Sequence, residues 1–488
     1  LWIFQNKKGN ERLYHNLFPG QDDGTPMRIK NKDQLLSHRN RRAREVALDV
    51  IEHAMKTVDS YEVTKKLVHI ENDRKMIVCD LSYDLSKVGK IYVVGAGKAT
   101  FPIAQALDGI FGDRIKRGTI SVKRGEKRRL KHIKVREAGH PIPDEMGLEG
   151  AKEIVEIAKE AKEGDLVFAC ITGGASALMP LPAEGISLED KKTVTDLLLK
   201  CGASIDEINA VRKHISAIKG GRLAMYIHPA EVINLIVIDE VAGLPWGPTV
   251  PDITTFQDAV GALKKNDLWE SIPVSVKKHL ERGLTDLNLE TPKPRDFESL
   301  KVHNLVLANN EGACEAAKKR AEELGFASMI LSTVLEGESK EAGIVLAGIA
   351  KEIEERGTPI KPPCVLILGG ETTVTITGQS GEGGPSQELA LGFALKIAGS
   401  KNIVIAAIDT DGTDGPTDIA GGIADGYTAE KAKEKGIDIH ESLMRHNSSY
   451  VLKELGDAII TGPTGTNVMD LNVIVISEEI NRNYRRSN

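Results

Sequence analysis

The sequence has no run near the roughly 18 uncharged apolar residues that a bilayer-crossing helix requires. Its apolar runs, such as Val232–Ile238 and Ile403–Ile408, have the length of buried strands. Aromatic residues are 4% of the chain, too few for a base-stacking platform. The net charge of −6 leaves no basic excess to grip a phosphate backbone. One basic cluster, Lys116–Lys134, reads as a solvated loop or as a rim that attracts an anion. The five cysteines, Cys79, Cys170, Cys201, Cys314 and Cys364, lie far apart, with no CxxC pair or His/Cys spacing for zinc. Cys79, Cys170 and Cys364 sit in or beside apolar runs and read as small core residues of a reducing compartment. A basic-then-apolar leader is missing from residues 1–26, which are polar and show neither helix nor strand period. These absences point to a soluble cytoplasmic protein that binds neither nucleic acid nor membrane. Residues 1–32 are expected to be a poorly structured extension.

At 488 residues the chain is long for one core, so two or three domains are expected. Helical periodicity runs through Asp33–His69 on Leu35, Leu36, Ala43, Val46, Ala47, Val50, Ile51 and Met55. Strands are expected at 91–94, 119–122, 166–171, 232–238, 304–308, 328–331, 364–368, 374–376, 403–408 and 471–476, with amphipathic helices between them. This alternation predicts an α/β protein with two domains. One is a doubly wound, mostly parallel N-terminal domain over 33–290. The other is a smaller α/β domain over 300–480, separated by the Pro-containing stretch Gly283–Glu298.

Several loops carry chemistry-bearing residues. Gly95-Ala-Gly-Lys98 joins a strand to a helix, so Gly95, Gly97 and Lys98 suit an anion at a helix N-terminus. It also reads as a plain tight turn. The Walker A pattern fails at Ala99, and the dinucleotide fingerprint fails at Thr100. Thr172-Gly-Gly-Ala-Ser176 is a second such turn, offering Gly173, Gly174 and Ser176, without a G-x-S-x-G elbow. On the helix around Asn209–Ile218, Arg212, Lys213 and His214 form a solvated basic face or reach a phosphate. Asp239 follows the strand Val232–Ile238, on the edge where doubly wound sheets bind ligands. It suits a general base or magnesium, beside the bland reading of a solvated acid. In the second half, Gly369-Gly-Glu-Thr-Thr373 and Gly381–Glu388 follow one strand. Asp409-Thr-Asp-Gly-Thr-Asp-Gly-Pro416 follows another. Carboxylates that close repel one another unless a cation or hydrogen-bond donors absorb the charge. Thr461-Gly-Pro-Thr-Gly-Thr-Asn-Val468 is a hydroxyl-rich turn able to close over a ligand.

Taken in order, these phrases resemble the class II glycerate kinases, whose C-terminal unit is called the MOFRL domain. Also matching are Glu137-Ala-Gly-His-Pro-Ile-Pro-Asp144, Lys219-Gly-Gly-Arg-Leu-Ala, Gly247-Pro-Thr-Val-Pro-Asp252, Ser386-Gln-Glu-Leu-Ala-Leu and Thr466-Asn-Val-Met-Asp-Leu, and the resemblance spans roughly Asp33 to Ile476. It implies transfer of phosphate from ATP to D-glycerate, giving 2-phosphoglycerate, with Mg2+, in a cleft between two α/β domains. It implies Lys98, Arg212 and Asp239 as catalytic residues and Asp409, Asp411 and Asp414 as metal ligands. Substrate and nucleotide would then be held by Gly95, Gly97, Gly173, Gly174, Ser176, Lys213, His214, Asn309, Gly370, Glu371, Gln387, Thr410, Gly412, Thr413, Thr466 and Asn467. A homodimer is compatible with it.

Two departures from the family pattern stand out. The segment Ile238–Trp246 is several residues shorter than usual. Gly383-Gly-Pro-Ser-Gln-Glu388 also replaces the usual Gly-Gly-Arg-Asn-Gln-Glu, which removes an anion-binding arginine. The rival readings are a hydroxypyruvate reductase, which would need a nicotinamide site, and a non-enzymatic metabolite-binding protein on the same scaffold.

Overall fold

A computed structural model describes residues 28–125, 128–238 and 247–477. They form two compact units: 60–238 with 247–307, and 28–59 with 308–477. Among the described residues no helix is long and apolar enough to cross a membrane.

The first unit opens with a small antiparallel sheet of β1 (Val68–Glu71), β2 (Lys75–Val78) and β3 (Leu81–Asp84). Its main sheet contains β4 (Ile91–Ala96), β5 (Ile115–Lys123), β6 (Lys134–Ala138), β7 (Leu166–Ile171), β8 (Glu231–Val237) and β9 (Val302–Ala308), in the order β6-β5-β4-β7-β8-β9. Pairings β5/β6, β4/β5, β4/β7 and β7/β8 are all parallel. Strands β4 and β7 are buried along their whole length, as continuous apolar runs demand when helices cover both faces. One face packs Tyr92, Val94 and Ala96 against the helix Glu145–Glu160. Beside the sheet, helices Leu188–Lys200, Ile205–His214, Phe256–Lys265 and Val274–Gly283 share a separate apolar core around Phe256.

The second unit holds β10 (Ala327–Leu335), β11 (Cys364–Gly370), β12 (Ile403–Asp409), β13 (Gly421–Asp425), β14 (Ala458–Ile459) and β15 (Asp470–Ile476), in the order β10-β11-β15-β12-β13-β14. Only β10/β11 is parallel; the other pairings are antiparallel. The sheet is therefore mixed, because β15 enters it against its neighbours. Alternating residues of β15 serve two cores: Leu471, Val473 and Val475 on one face, Ile474 and Ile476 on the other.

Several sequence expectations change. The single helix expected over Asp33–His69 is three helices, Lys32–Leu35, Arg41–Thr57 and Ser60–Leu67, and its last residues begin β1. Asn40 has φ 62° at the start of the second helix, a left-handed backbone that interrupts helical continuity. The helix Arg41–Thr57 packs in the second unit, against the helix Asn310–Glu323, with Arg320 bidentate on Asp49 at 3.0 Å. Its buried Arg44 is clamped by Asp425 at 2.7 Å and Asp457 at 2.8 Å. An amphipathic stripe says that a helix covers a core, not which core.

The domain boundaries shift for similar reasons. Strand β9, expected to open the second domain, adds to the first sheet beside β8, with Val232 N–H donating to Lys301 O at 2.8 Å. The Pro-containing stretch is an internal loop, in which buried Thr291 and Glu290 both receive Lys293 Nζ. Residues 28–32, assigned to the extension, are built into the second unit: Ile29 is buried and Asn31 exchanges hydrogen bonds with Ala458 and Ile460. The rest of the extension, residues 1–27, lies outside the described residues. Of the expected strands, 374–376 is absent, while β1–β3, β6, β13 and β14 were unforeseen.

Candidate functional site

In the first unit the two small-residue turns interlock at the C-terminal ends of β4 and β7. Lys98 N–H donates to Gly173 O at 2.8 Å, Thr172 N–H to Ala96 O at 3.2 Å, and Ala99 N–H to Thr172 Oγ1 at 3.1 Å. Gly97 has φ 142°, and a Cβ there would strike Thr172. Gly174 has φ 82°; a Cβ on it would lie 3.0 Å from the His140 ring and 3.3 Å from Lys98 Cγ. Ser176 Oγ accepts Lys219 Nζ. The turn at Gly247, φ 136°, lies over Ile171 at the end of β7. Gly95, Gly97, Lys98, Gly173, Gly174 and Ser176 are thus brought together, and His140, Thr172 and Lys219 join them. The signal for these additions was weak: each sits in a phrase already singled out, but nothing in their spacing marked them as neighbours.

The basic helix divides differently. Lys213 is bound to Asp252 at 2.7 Å, and Asp252 also holds Thr254. His214 is fully buried, with Nδ1 against Ala210 O at 2.7 Å and Nε2 against Glu290 at 2.8 Å. Its ring stacks edge-on to Phe256 at 4.6 Å. Both ring nitrogens of His214 are thus committed inside the helical core, whereas Lys213 is partly exposed and paired with Asp252. Glu290 is lowered to about 2; burial opposes this, but Lys293, Thr291 and His214 outweigh it. Lys191 is also buried and is lowered to about 7, first by burial and then by the cations of Arg212 and Arg222. Arg212 is thus close enough to Lys191 to act on its charge. Asp239 lies outside the described residues.

In the second unit the loops after β11 and β12 leave the sheet on either side of the first residue of β15. Asp470 is in register with Gly370 on one side and with Asp409 on the other. Asp409 Oδ1 accepts Asp411 N–H at 2.9 Å; Asp411 Oδ1 accepts Thr413 N–H at 2.8 Å and its hydroxyl at 2.7 Å. These bonds wind the loop tightly. Thr410 is buried, donating to Met469 O at 2.7 Å and accepting Val468 N–H at 2.9 Å. Gly412 has φ 92°, and a Cβ there would meet the 461–462 turn.

Asp414 plays another part. Its two carboxylate oxygens accept Ser386 N–H at 3.1 Å and Gln387 N–H at 2.9 Å, capping the helix Pro385–Lys396. It is raised to about 7 by burial, which outweighs those bonds. Asp470 is raised well above the ordinary carboxylate range by burial and by Asp414. Among the described residues no three His, Cys, Asp or Glu side chains are grouped to hold a metal ion. The triad Asp409, Asp411 and Asp414 shares one loop, but its third member is turned inward as a helix cap.

Other nominated residues also hold the frame. Gln387 donates to Thr417 Oγ1 at 3.2 Å and accepts Ser449 Oγ at 2.6 Å. Thr466 donates to Val58 O at 2.9 Å, Asn467 is buried, and Asn309 caps the helix Asn310–Glu323 through Gly312 N–H at 2.9 Å. Glu371 is exposed at the loop after β11. The sequence reading missed Asp470 and Asn310, whose amide holds Val468 O at 2.7 Å and Asp470 O at 2.9 Å.

Residues 46–281 match the family described as Domain of unknown function (DUF4147), and residues 364–470 match the MOFRL family. The chain is 47% identical over 442 residues to a glycerate 2-kinase of Pyrococcus horikoshii, covering 90% of this chain and 98% of that one. It is 40% identical over 387 residues to a D-glycerate 2-kinase of Thermotoga maritima, covering 78% and 89%. A crystal structure of glycerate kinase from Thermotoga maritima superposes with a TM-score of 0.76 at 36% identity, covering 88% of this chain and 99% of that one. The chain belongs to the DUF4147/MOFRL glycerate kinase family.

Proposed function

We propose that this protein transfers the γ-phosphoryl group of ATP to the 2-hydroxyl of D-glycerate, releasing ADP and 2-phosphoglycerate. The observation that carries this reading is the 47% identity over 98% of a glycerate 2-kinase. The first unit's chemistry suits it. Phosphoryl transfer requires positioning and neutralised charge more than covalent catalysis. Lys98 sits in a glycine-lined turn at the C-terminal sheet edge, where bare backbone and a cation suit a phosphate or the glycerate carboxylate. Arg212 adds a second cation and Asp239 takes the hydroxyl proton. The second unit's loops at Gly370–Glu371 and Thr410–Thr413 receive the nucleotide.

Magnesium enters this proposal with the nucleotide. Mg2+ commonly keeps several waters and takes one or two carboxylates plus substrate phosphates, so it needs no all-protein cage. Asp409 and Asp411 suit that limited role; Asp414 does not, because two backbone N–H groups already occupy its carboxylate. When bound, the ion would neutralise phosphate charge.

The test is to incubate the protein with ATP, magnesium and D-glycerate and identify the product by 31P and 1H NMR. 2-Phosphoglycerate is expected. The 3-isomer would overturn the regiochemistry, and no ADP release with D-glycerate would overturn the activity.

A further inference from the structure

Residues 28–32 carry two cations onto the turn that covers the Asp409–Thr413 loop. The segment is pinned at four points. Ile29 is buried and its N–H donates to Glu52 at 3.1 Å. Lys30 N–H donates to Ile460 O at 2.8 Å, Asn31 bonds Ala458 O at 2.8 Å, and Lys32 pairs with Glu52 at 2.5 Å. Arg28 is already committed: it donates to Thr464 O at 2.6 Å and is ion-paired with Asp59. Lys30 differs. It is exposed, its ammonium lies over the α-carbon of Gly462, and it has no ion pair among the described residues.

Gly462 belongs to the 461–466 turn, and that turn is fastened to the acidic loop. Thr464 N–H donates to Asp411 O at 3.2 Å, and the Thr464 hydroxyl donates to Thr410 O. Gly412 (φ 92°) and Gly462 (φ 67°) meet so closely that a Cβ on Gly412 would strike Gly462 O. The faces of both glycines are filled, that of Gly412 by Gly462 O and that of Gly462 by the Lys30 ammonium, so Lys30 brings a positive charge to this junction. The neighbouring carboxylates of Asp409 and Asp411 would repel a polyphosphate unless a cation offsets them.

We propose that Lys30 binds the polyphosphate of the nucleotide, at the junction of the Gly412 and Gly462 turns. The proposal rests on the reading that the Thr410–Thr413 loop receives the nucleotide. Because its backbone is pinned, Lys30 loses less freedom on binding than a lysine on a loose tail. Losing this charge-assisted contact should weaken phosphate binding roughly tenfold.

The experiment is calorimetric titration with ADP, without glycerate, on the full chain and on K30A, K30E, K30R, T413A and K401A, where Lys401 is an exposed lysine used as a charge control. K30A should raise the Kd about tenfold and K30E further, while K30R stays within about threefold of wild type. K401A should bind as wild type. In turnover, K30A should raise KM for ATP and leave KM for glycerate unchanged. Unaltered melting midpoints would separate lost binding from lost folding. If T413A weakens ADP binding and K30A does not, Lys30 has no such role while the nucleotide reading stands. If neither variant changes ADP binding, the nucleotide reading of these loops fails and the proposal fails with it.

Discussion

The loops after β4 and β7 are made of glycine, small residues and cations, whereas the loops after β11 and β12 are made of carboxylates and hydroxyls. Sheet direction helps to explain the contrast. In the parallel sheet every strand ends at the same edge, so that edge collects helix N-termini, which favour anions. In the mixed sheet β15 runs the other way, so its first residue, Asp470, stands between the ends of β11 and β12. That edge has carboxyl groups at its centre, where burial favours the neutral form of Asp414 and Asp470 and hydrogen bonds tie down Asp409 and Asp411. The reversed strand thus adds a buried carboxyl group, Asp470, between two loops that already carry carboxylates, which the parallel sheet has no counterpart for.

The largest effect should come from the cationic edge. Lys98→Ala should lower kcat on the order of 10³-fold with little change in melting temperature, as loss of a preorganised charge at a transferring phosphoryl group does. Near-normal turnover would remove Lys98 from the chemistry.

At the acidic edge the leading effect should be on stability. Asp414→Ala leaves Ser386 and Gln387 N–H groups buried without a partner, and should cost about 2–3 kcal/mol in denaturant unfolding. If that variant instead loses metal-dependent nucleotide binding while unfolding as wild type does, Asp414 is a ligand and not a cap.

His214→Gln separates framework from site within the first unit. It should cost about 1–2 kcal/mol, through the bond to Glu290, and leave KM for both substrates unchanged. A rise in KM for glycerate would return His214 to the binding site.

A last effect concerns pH. Burial raises Asp414 to about 7, above an ordinary value of about 3.9. Between those values the folded state keeps a proton that the unfolded state releases, so stability falls as pH rises from about 4 to about 7. Asp470 is raised as well and adds the same sign. Thermal melts of wild type should therefore slope downward through this window, and Asp414→Asn should flatten the slope. An unchanged slope in that variant would mean that Asp414 is ionised in the folded protein.

Much of this was legible along the chain. Strands β4, β7, β8, β11, β12 and β15 announce themselves as short apolar runs, because a strand buried on both faces has no polar side. The turns after them announce themselves by glycine. The shorter strands β6, β13 and β14 carry no comparable run. Site residues divide along the same line: Lys98 and the glycines stand out by their place after a strand, while Gln387, Thr466 and His214 look alike in sequence whether they touch a ligand or hold the frame.

The α/β class, the main strands and the order of glycine and aspartate loops follow from the amino-acid order alone, because periodicity and turn chemistry are local. Which core each segment joins was left to long-range packing. It sent the helix Arg41–Thr57 to the second unit and β9 to the first, reversed β15, and turned Asp414 inward as a cap. It also built residues 28–32 into the frame. The physical reason is that burial and pairing depend on partners hundreds of residues away, such as Arg44 with Asp457 or Lys30 with Ile460, and no local pattern records them.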